Sequence, residues 1–167
     1  EAAHTFVNGK CSVCGWTVTT VEPSVAPTLT GTGFTLSFED EILVNFYYTA
    51  ENTVDMVSNG MVVFYSDPGT ADIAKADIVY TNATYVESSG SYIVTTDGIA
   101  AKEMGDNRYY AAYAELEDGT YAYSTLYQYS PKKYALSRIK NSTNAEMKAL
   151  CVAMLNYGAA AQKFFDY

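Results

Sequence analysis

Two groups of residues in this chain have the types and spacing for chemistry. The first is His4 with Cys11 and Cys14, in the string HTFVNGKCSVCGW. Asn8-Gly9 is a tight-turn pair, since both residues tolerate positive φ. The turn would fold residues 5–7 back on 10–12 and leave the two thiols and the imidazole at one end of a small knuckle. Thiolates and imidazole at such spacing suit a tetrahedral structural zinc. A fourth ligand would have to be a carboxylate or lie upstream. A Cys11–Cys14 disulfide and two thiols are the alternatives. A redox role for Cys-x-x-Cys needs a βαβ context that is missing here.

The second group is the stretch 107–129, NRYYAAYAELEDGTYAYSTLYQY. It holds Tyr109, Tyr110, Tyr113, Tyr121, Tyr123, Tyr127 and Tyr129, seven of the sixteen tyrosines. Two aromatic runs flank Glu117-Asp118-Gly119, which reads as a β-hairpin. Its turn decides which rings share a face. A two-residue Asp118-Gly119 turn would oppose Leu116 to Tyr121. A three-residue loop with Gly119 in the left-handed region would oppose Leu116 to Thr120 instead. The second arrangement is preferred, because it sorts the faces. Ala112, Ala114, Leu116, Ala122 and Leu126 fall on one side. Tyr109, Tyr113, Tyr121, Tyr123 and Tyr127 fall on the other, with Glu115. A type I turn followed by a glycine bulge is a common hairpin loop.

A tyrosine face beside a carboxylate suits a sugar. The C–H faces of the sugar stack on the rings and its hydroxyls bond to tyrosine hydroxyls and Glu115. Tyrosine also offers large contact area at low entropic cost, which serves protein recognition. The structural alternative is a cross-strand tyrosine stripe that stabilises the sheet by roughly 0.2–1 kcal/mol per pair. Catalysis is not expected. His4 is the only histidine and lies in the N-terminal appendage, which removes a Ser-His-Asp arrangement from the core. A pair of carboxylates could hydrolyse glycosides, but Asp55, Glu87 and Glu115 form no supporting pattern.

The elements that position these residues follow from the chain in order. Residues 21–30 carry Pro23 and Pro27 and read as a linker, with the domain boundary near residue 25. A knuckle and linker at 1–24 and a main domain at 25–167 are expected. In residues 33–39, Phe34, Leu36 and Phe38 alternate with polar residues, as in a half-buried strand. In residues 42–49, Ile42, Val44, Phe46 and Tyr48 share a face. Asn59-Gly60 reads as a turn before the apolar strand 61–65. Residues 78–80, 83–86 and 91–95 read as further short strands, and 98–104 as a short helix or α-turn. Short strands with turn signals between them predict an antiparallel, immunoglobulin-like β-sandwich. Ser130-Pro131 then opens a helix. Thr143 and Glu146 read as the capping box of a last, longer helix that caps the sheets. Cys151 lies on its apolar stripe as a buried small hydrophobe.

Of the 167 residues, 49% are apolar and only 17% charged, with a net charge of −9. An acidic surface repels phosphate backbones and anionic membranes, so neither nucleic acid nor membrane is an expected partner. No apolar run approaches the ~18 residues of a membrane span. No signal peptide is visible at Glu1-Ala2-Ala3, though one that was removed would fit. The low charge and many hydroxyls suit a secreted β-rich domain.

Two stretches carry a family resemblance. AYAELEDGTYAYS with the following YSPKKYA, and MKALCVAMLNYGAAAQKFF, resemble the C-terminal part of uncharacterised modules repeated in large secreted proteins of gut Clostridia such as ruminococci. HTFVNGKCSVCG resembles small Cys-x-x-Cys knuckles in the same proteins. The likeness covers about 60 residues at the end and 12 at the start. It implies an extracellular, modular, cell-surface or cellulosome-like setting with neighbouring domains in a larger chain. It supplies no catalytic residues. The expected function is non-catalytic carbohydrate binding to a polysaccharide or host glycan by an accessory module. A structural spacer or protein-binding adhesion module is the alternative.

Overall fold

The computed structural model describes residues 6–7, 10–12, 14, 25–38, 40–81 and 83–167. At the N-terminus, β1 (Phe6–Val7) pairs antiparallel with β2 (Lys10–Cys11). A Cys-x-x-Cys knuckle finds no support among the described residues. Cys11 is buried and Cys14 exposed, and His4 lies outside the described residues.

The main body is two antiparallel sheets. One is built from β3 (Thr28–Ser37), β4 (Leu43–Glu51), β7 (Thr84–Val86) and β8 (Ser91–Thr95), in the order β3-β4-β8-β7. The other holds β5 (Met56–Phe64), β6 (Ile78–Thr81), β9 (Arg108–Leu116), β10 (Tyr121–Tyr123) and β11 (Tyr127–Tyr129). Its order is β10-β9-β5-β6, with β11 also paired to β9. Every pair is antiparallel.

Alternation along the strands puts one face of each sheet into a common core. Val44, Phe46 and Tyr48 from β4 meet Met61 and Val63 from β5 and Tyr110, Ala112 and Ala114 from β9. The face predicted for Val44, Phe46 and Tyr48 is the buried one, and half-buried Ile42 packs against the same core. Two helices follow, α1 (Pro131–Asn141) and α2 (Ala145–Phe165), and contribute Ala135, Cys151 and Met154 to this core. Burial pushes the Cys151 thiol above its ordinary range, so it behaves as a small hydrophobe and not a nucleophile.

Three local expectations change. Residues Thr28–Thr30 belong to β3 and not to a linker. Asn59-Gly60 is not a turn, because β5 runs straight through it. Asn59 Oδ1 accepts the Tyr48 hydroxyl at 2.5 Å, and Gly60 is needed for a close approach, since a Cβ there would collide with the Tyr80 carbonyl oxygen. At the last helix the cap is Asn144 and not Thr143. Asn144 Oδ1 accepts the Met147 N–H at 2.8 Å, which satisfies one of the orphan donors of the first turn. Ser130 caps α1 as expected, its Oγ accepting the Lys133 N–H at 3.3 Å.

Candidate functional site

The tyrosine hairpin closes through a three-residue loop. Gly119 has φ +79°, a conformation that favours glycine. Its N–H donates to Leu116 O at 2.9 Å, and the Leu116 N–H donates to Thr120 O at 2.9 Å. Asp118 Oδ1 accepts the Thr120 hydroxyl at 2.6 Å and the Thr120 N–H at 2.9 Å. These bonds, the hydroxyl first, hold the Asp118 carboxyl below its usual range. The resulting register opposes Tyr121 to Glu115 and Tyr123 to Tyr113. Tyr113, Glu115, Tyr121 and Tyr123 therefore share one face.

Tyr127 does not join them. Beyond Tyr123 the ladder shifts by one residue, so that Tyr127 opposes Tyr110. Four steps along this edge match three along β9, which is a β-bulge. Ser124 anchors it. Its N–H donates to Ala112 O, and its Oγ accepts the Ala112 N–H and donates to Thr125 O, each at 2.9 Å. One extra residue reverses the side-chain alternation. Leu126 consequently packs on the outer cluster of Val62, Phe64, Ala111 and Tyr113. Tyr127 turns inward against Phe34 and Phe46, and its hydroxyl accepts the Gly31 N–H at 3.1 Å.

The outer face is also partly covered. The excursion between β5 and β6 lays Ala71, Ile73 and Ala76 on the same outer cluster, together with Tyr109, Tyr123 and Leu126. The Ile73 N–H donates to the Tyr123 hydroxyl at 2.9 Å. Tyr113 is left 2% exposed. Its hydroxyl titrates above the ordinary tyrosine value because of burial first, then because of neighbouring Tyr121 and Glu115. Tyr109 is half-buried farther along β9, where its hydroxyl accepts Gln128 Nε2 at 2.8 Å. Tyr121 is 38% exposed and Tyr123 half-buried. Their rings stand 6.3 Å apart at 26°. Glu115 Oε2 accepts the Ser58 hydroxyl at 2.8 Å, which fixes the carboxylate beside them. The five-ring platform is thus reduced to Tyr121 and Tyr123 over Glu115.

A second site has no local sequence signal. Tyr65, Glu103, Asp106, Asn107, Arg108 and Tyr167 line a cleft of about 280 Å³. These residues come from the end of β5, a 3-10 turn at Ala101–Glu103, the start of β9 and the end of the chain. Arg108 Nη2 donates to Glu103 Oε2 at 2.8 Å, and the guanidinium lies 5.1 Å from the Tyr65 ring centre. The Arg108 side chain is only 13% exposed. Asp106 Oδ2 accepts the Tyr167 hydroxyl at 2.5 Å, and the Lys102 ammonium stands 4.9 Å from the Tyr167 ring centre.

Among the described residues no three His, Cys, Asp or Glu side chains converge into a group that could hold a metal. The zinc expectation rests on His4, outside them. Also among the described residues, no helix is long and apolar enough to cross a membrane. Compared with protein-family models, curated proteins and solved structures, the chain has no match.

Proposed function

We propose that the chain is a non-catalytic carbohydrate-binding accessory module of a larger secreted or cell-surface protein. In this reading the two sheets form an immunoglobulin-like sandwich and the helices cap one end of it. The observation that carries it is the pair Tyr121 and Tyr123 on the edge strand β10, stacked at 26°, with Glu115 opposite Tyr121 in the ladder. Adjacent rings, one exposed and one half-buried, give a sugar an apolar surface. Glu115, held by Ser58, keeps its second carboxylate oxygen to accept a sugar hydroxyl. Calorimetry and affinity electrophoresis against plant and mucin glycans test the reading. Polysaccharide affinity left wholly unchanged by a Tyr121→Ala/Tyr123→Ala double variant would remove this site.

One observation favours a second reading, a spacer or protein-binding adhesion module. Tyr157, Phe164 and Phe165 on α2 are largely exposed, and exposed apolar clusters mark interaction surfaces. Absence of binding to every glycan in the panel would select this reading.

A further inference from the structure

On the hairpin Tyr121 and Tyr123 keep partial exposure, and their neighbours are covered. The cleft between Tyr65 and Tyr167 has a different chemistry. We infer that it is a separate subsite, which takes the terminal unit of a neutral saccharide. This inference rests on the carbohydrate reading for its ligand class and not for its geometry.

The cleft offers the three kinds of group that a sugar ring needs. Tyr65 and Tyr167 supply aromatic walls, exposed by 56% and 58%, and both are positioned. The Tyr65 ring carries the Arg108 guanidinium on its face, and its backbone N–H donates to Asp77 Oδ2 at 2.7 Å. Tyr167 is tied by its hydroxyl to Asp106 and by its N–H to Gln162 O at 3.0 Å. Glu103 and Asp106 each use one oxygen on a protein partner, so each retains another as an acceptor for sugar hydroxyls. Arg108 supplies donors, because a guanidinium carries more N–H groups than one carboxylate oxygen takes.

Charge and size narrow the ligand. Glu103 and Asp106 are matched by Arg108 and by Lys102, which stands over Tyr167. With the Asp77 carboxylate on the Tyr65 N–H the cleft leans acidic, which disfavours an anionic ligand, and its mix of acceptors and donors suits the hydroxyls of a neutral polyol. The volume of about 280 Å³ sits just under the ~300–1,000 Å³ of pockets that hold drug-sized ligands. It has room for one ring, not for a run of several. A site for one ring on a chain molecule reads the end of that chain.

The test uses the full isotopically labelled chain, titrated with glucose, xylose, galactose and mannose, and with β-linked di- and hexasaccharides of glucose and xylose. Amide shifts at Asn107 and Arg108 are expected, with a molar affinity that stays within about twofold between disaccharide and hexasaccharide. A platform site would instead gain affinity with length. Tyr65→Ala and Asp106→Asn should each weaken this binding by about tenfold. Tyr121→Ala/Tyr123→Ala should leave it unchanged. No shift at Asn107 and Arg108 with any of these sugars overturns the inference, as does unchanged affinity in both cleft variants. If glycan binding is lost only in the hairpin variant, the cleft falls and the hairpin reading stands. If it is lost only in the cleft variants, the hairpin falls instead.

Discussion

Tyr113 lays its ring across Gly60, and no side chain fits between them. An added Cβ would come within 2.9 Å of Tyr113 Cε1 and would collide with the Tyr80 backbone on the other neighbouring strand. The ring can shift, but a backbone carbonyl inside a ladder moves only with its strand. Gly60→Ala should therefore lower the unfolding free energy by about 3 kcal/mol, the upper end of ordinary overpacking. Urea melts would measure it, and an unchanged midpoint would refute the close approach.

Three tyrosine hydroxyls invite a contrast. The Tyr127 hydroxyl accepts the Gly31 N–H, whereas the hydroxyls of Tyr110 and Tyr129 have no protein partner among the described residues. Tyr127→Phe leaves a backbone donor without its acceptor and should cost about 1 kcal/mol. Tyr110→Phe removes an oxygen that bonds nothing in the protein and should change stability by less than about 0.5 kcal/mol, or raise it. Equal losses in the two variants would contradict the inward placement of Tyr127.

The position of the helix cap gives a simple pair of substitutions. Asn144→Ala deletes the acceptor of the Met147 N–H and should cost about 1 kcal/mol. Thr143→Ala, one residue earlier and exposed, should cost a few tenths or less. Thermal unfolding of both variants decides between them, and the reverse order would restore Thr143 as the cap.

Buried tyrosines also set an alkaline limit. Burial raises the Tyr110 hydroxyl from 10.0 to about 12, an effect that nearby Arg108 partly opposes. Tyr48 and Tyr129 are raised in the same direction by desolvation. The unfolded chain ionises at the ordinary tyrosine value, so above it the unfolded state holds fewer protons than the folded one. Stability contributed by these groups is complete below pH 10.0 and is lost as pH rises toward about 12. The loss for Tyr110 alone is about 3 kcal/mol. Urea melts in steps from about pH 9 upward should show the decline, and Tyr110→Phe should make it shallower. A flat profile through that window would rule out buried, neutral hydroxyls.

Much of this architecture is legible where a single strand carries its own signal. The alternation of Ile42, Val44, Phe46 and Tyr48 names the buried face of β4, because one periodicity and one core decide it. The loop Glu117-Asp118-Gly119 is equally local, since glycine alone settles its backbone. Asn59-Gly60 misleads because its composition says turn, while its reason for being there is the Tyr80 carbonyl and the Tyr113 ring, brought against it by the two neighbouring strands. The cleft is invisible for the same reason. Tyr65, Arg108 and Tyr167 are unremarkable in their own segments, and the topology alone makes them neighbours.

The bulge after Ser124 has a consequence for how such a surface can change. Which of Leu126 and Tyr127 points outward is fixed by how many residues separate them from Tyr123, not by what those residues are. A substitution there alters one face and spares the other. A one-residue insertion or deletion would swap an aliphatic for an aromatic on both faces at once, stripping the interior of the ring that holds Gly31 while adding one to the exterior. Along this edge, length is the inherited variable that ties what the domain can touch to whether it can stand.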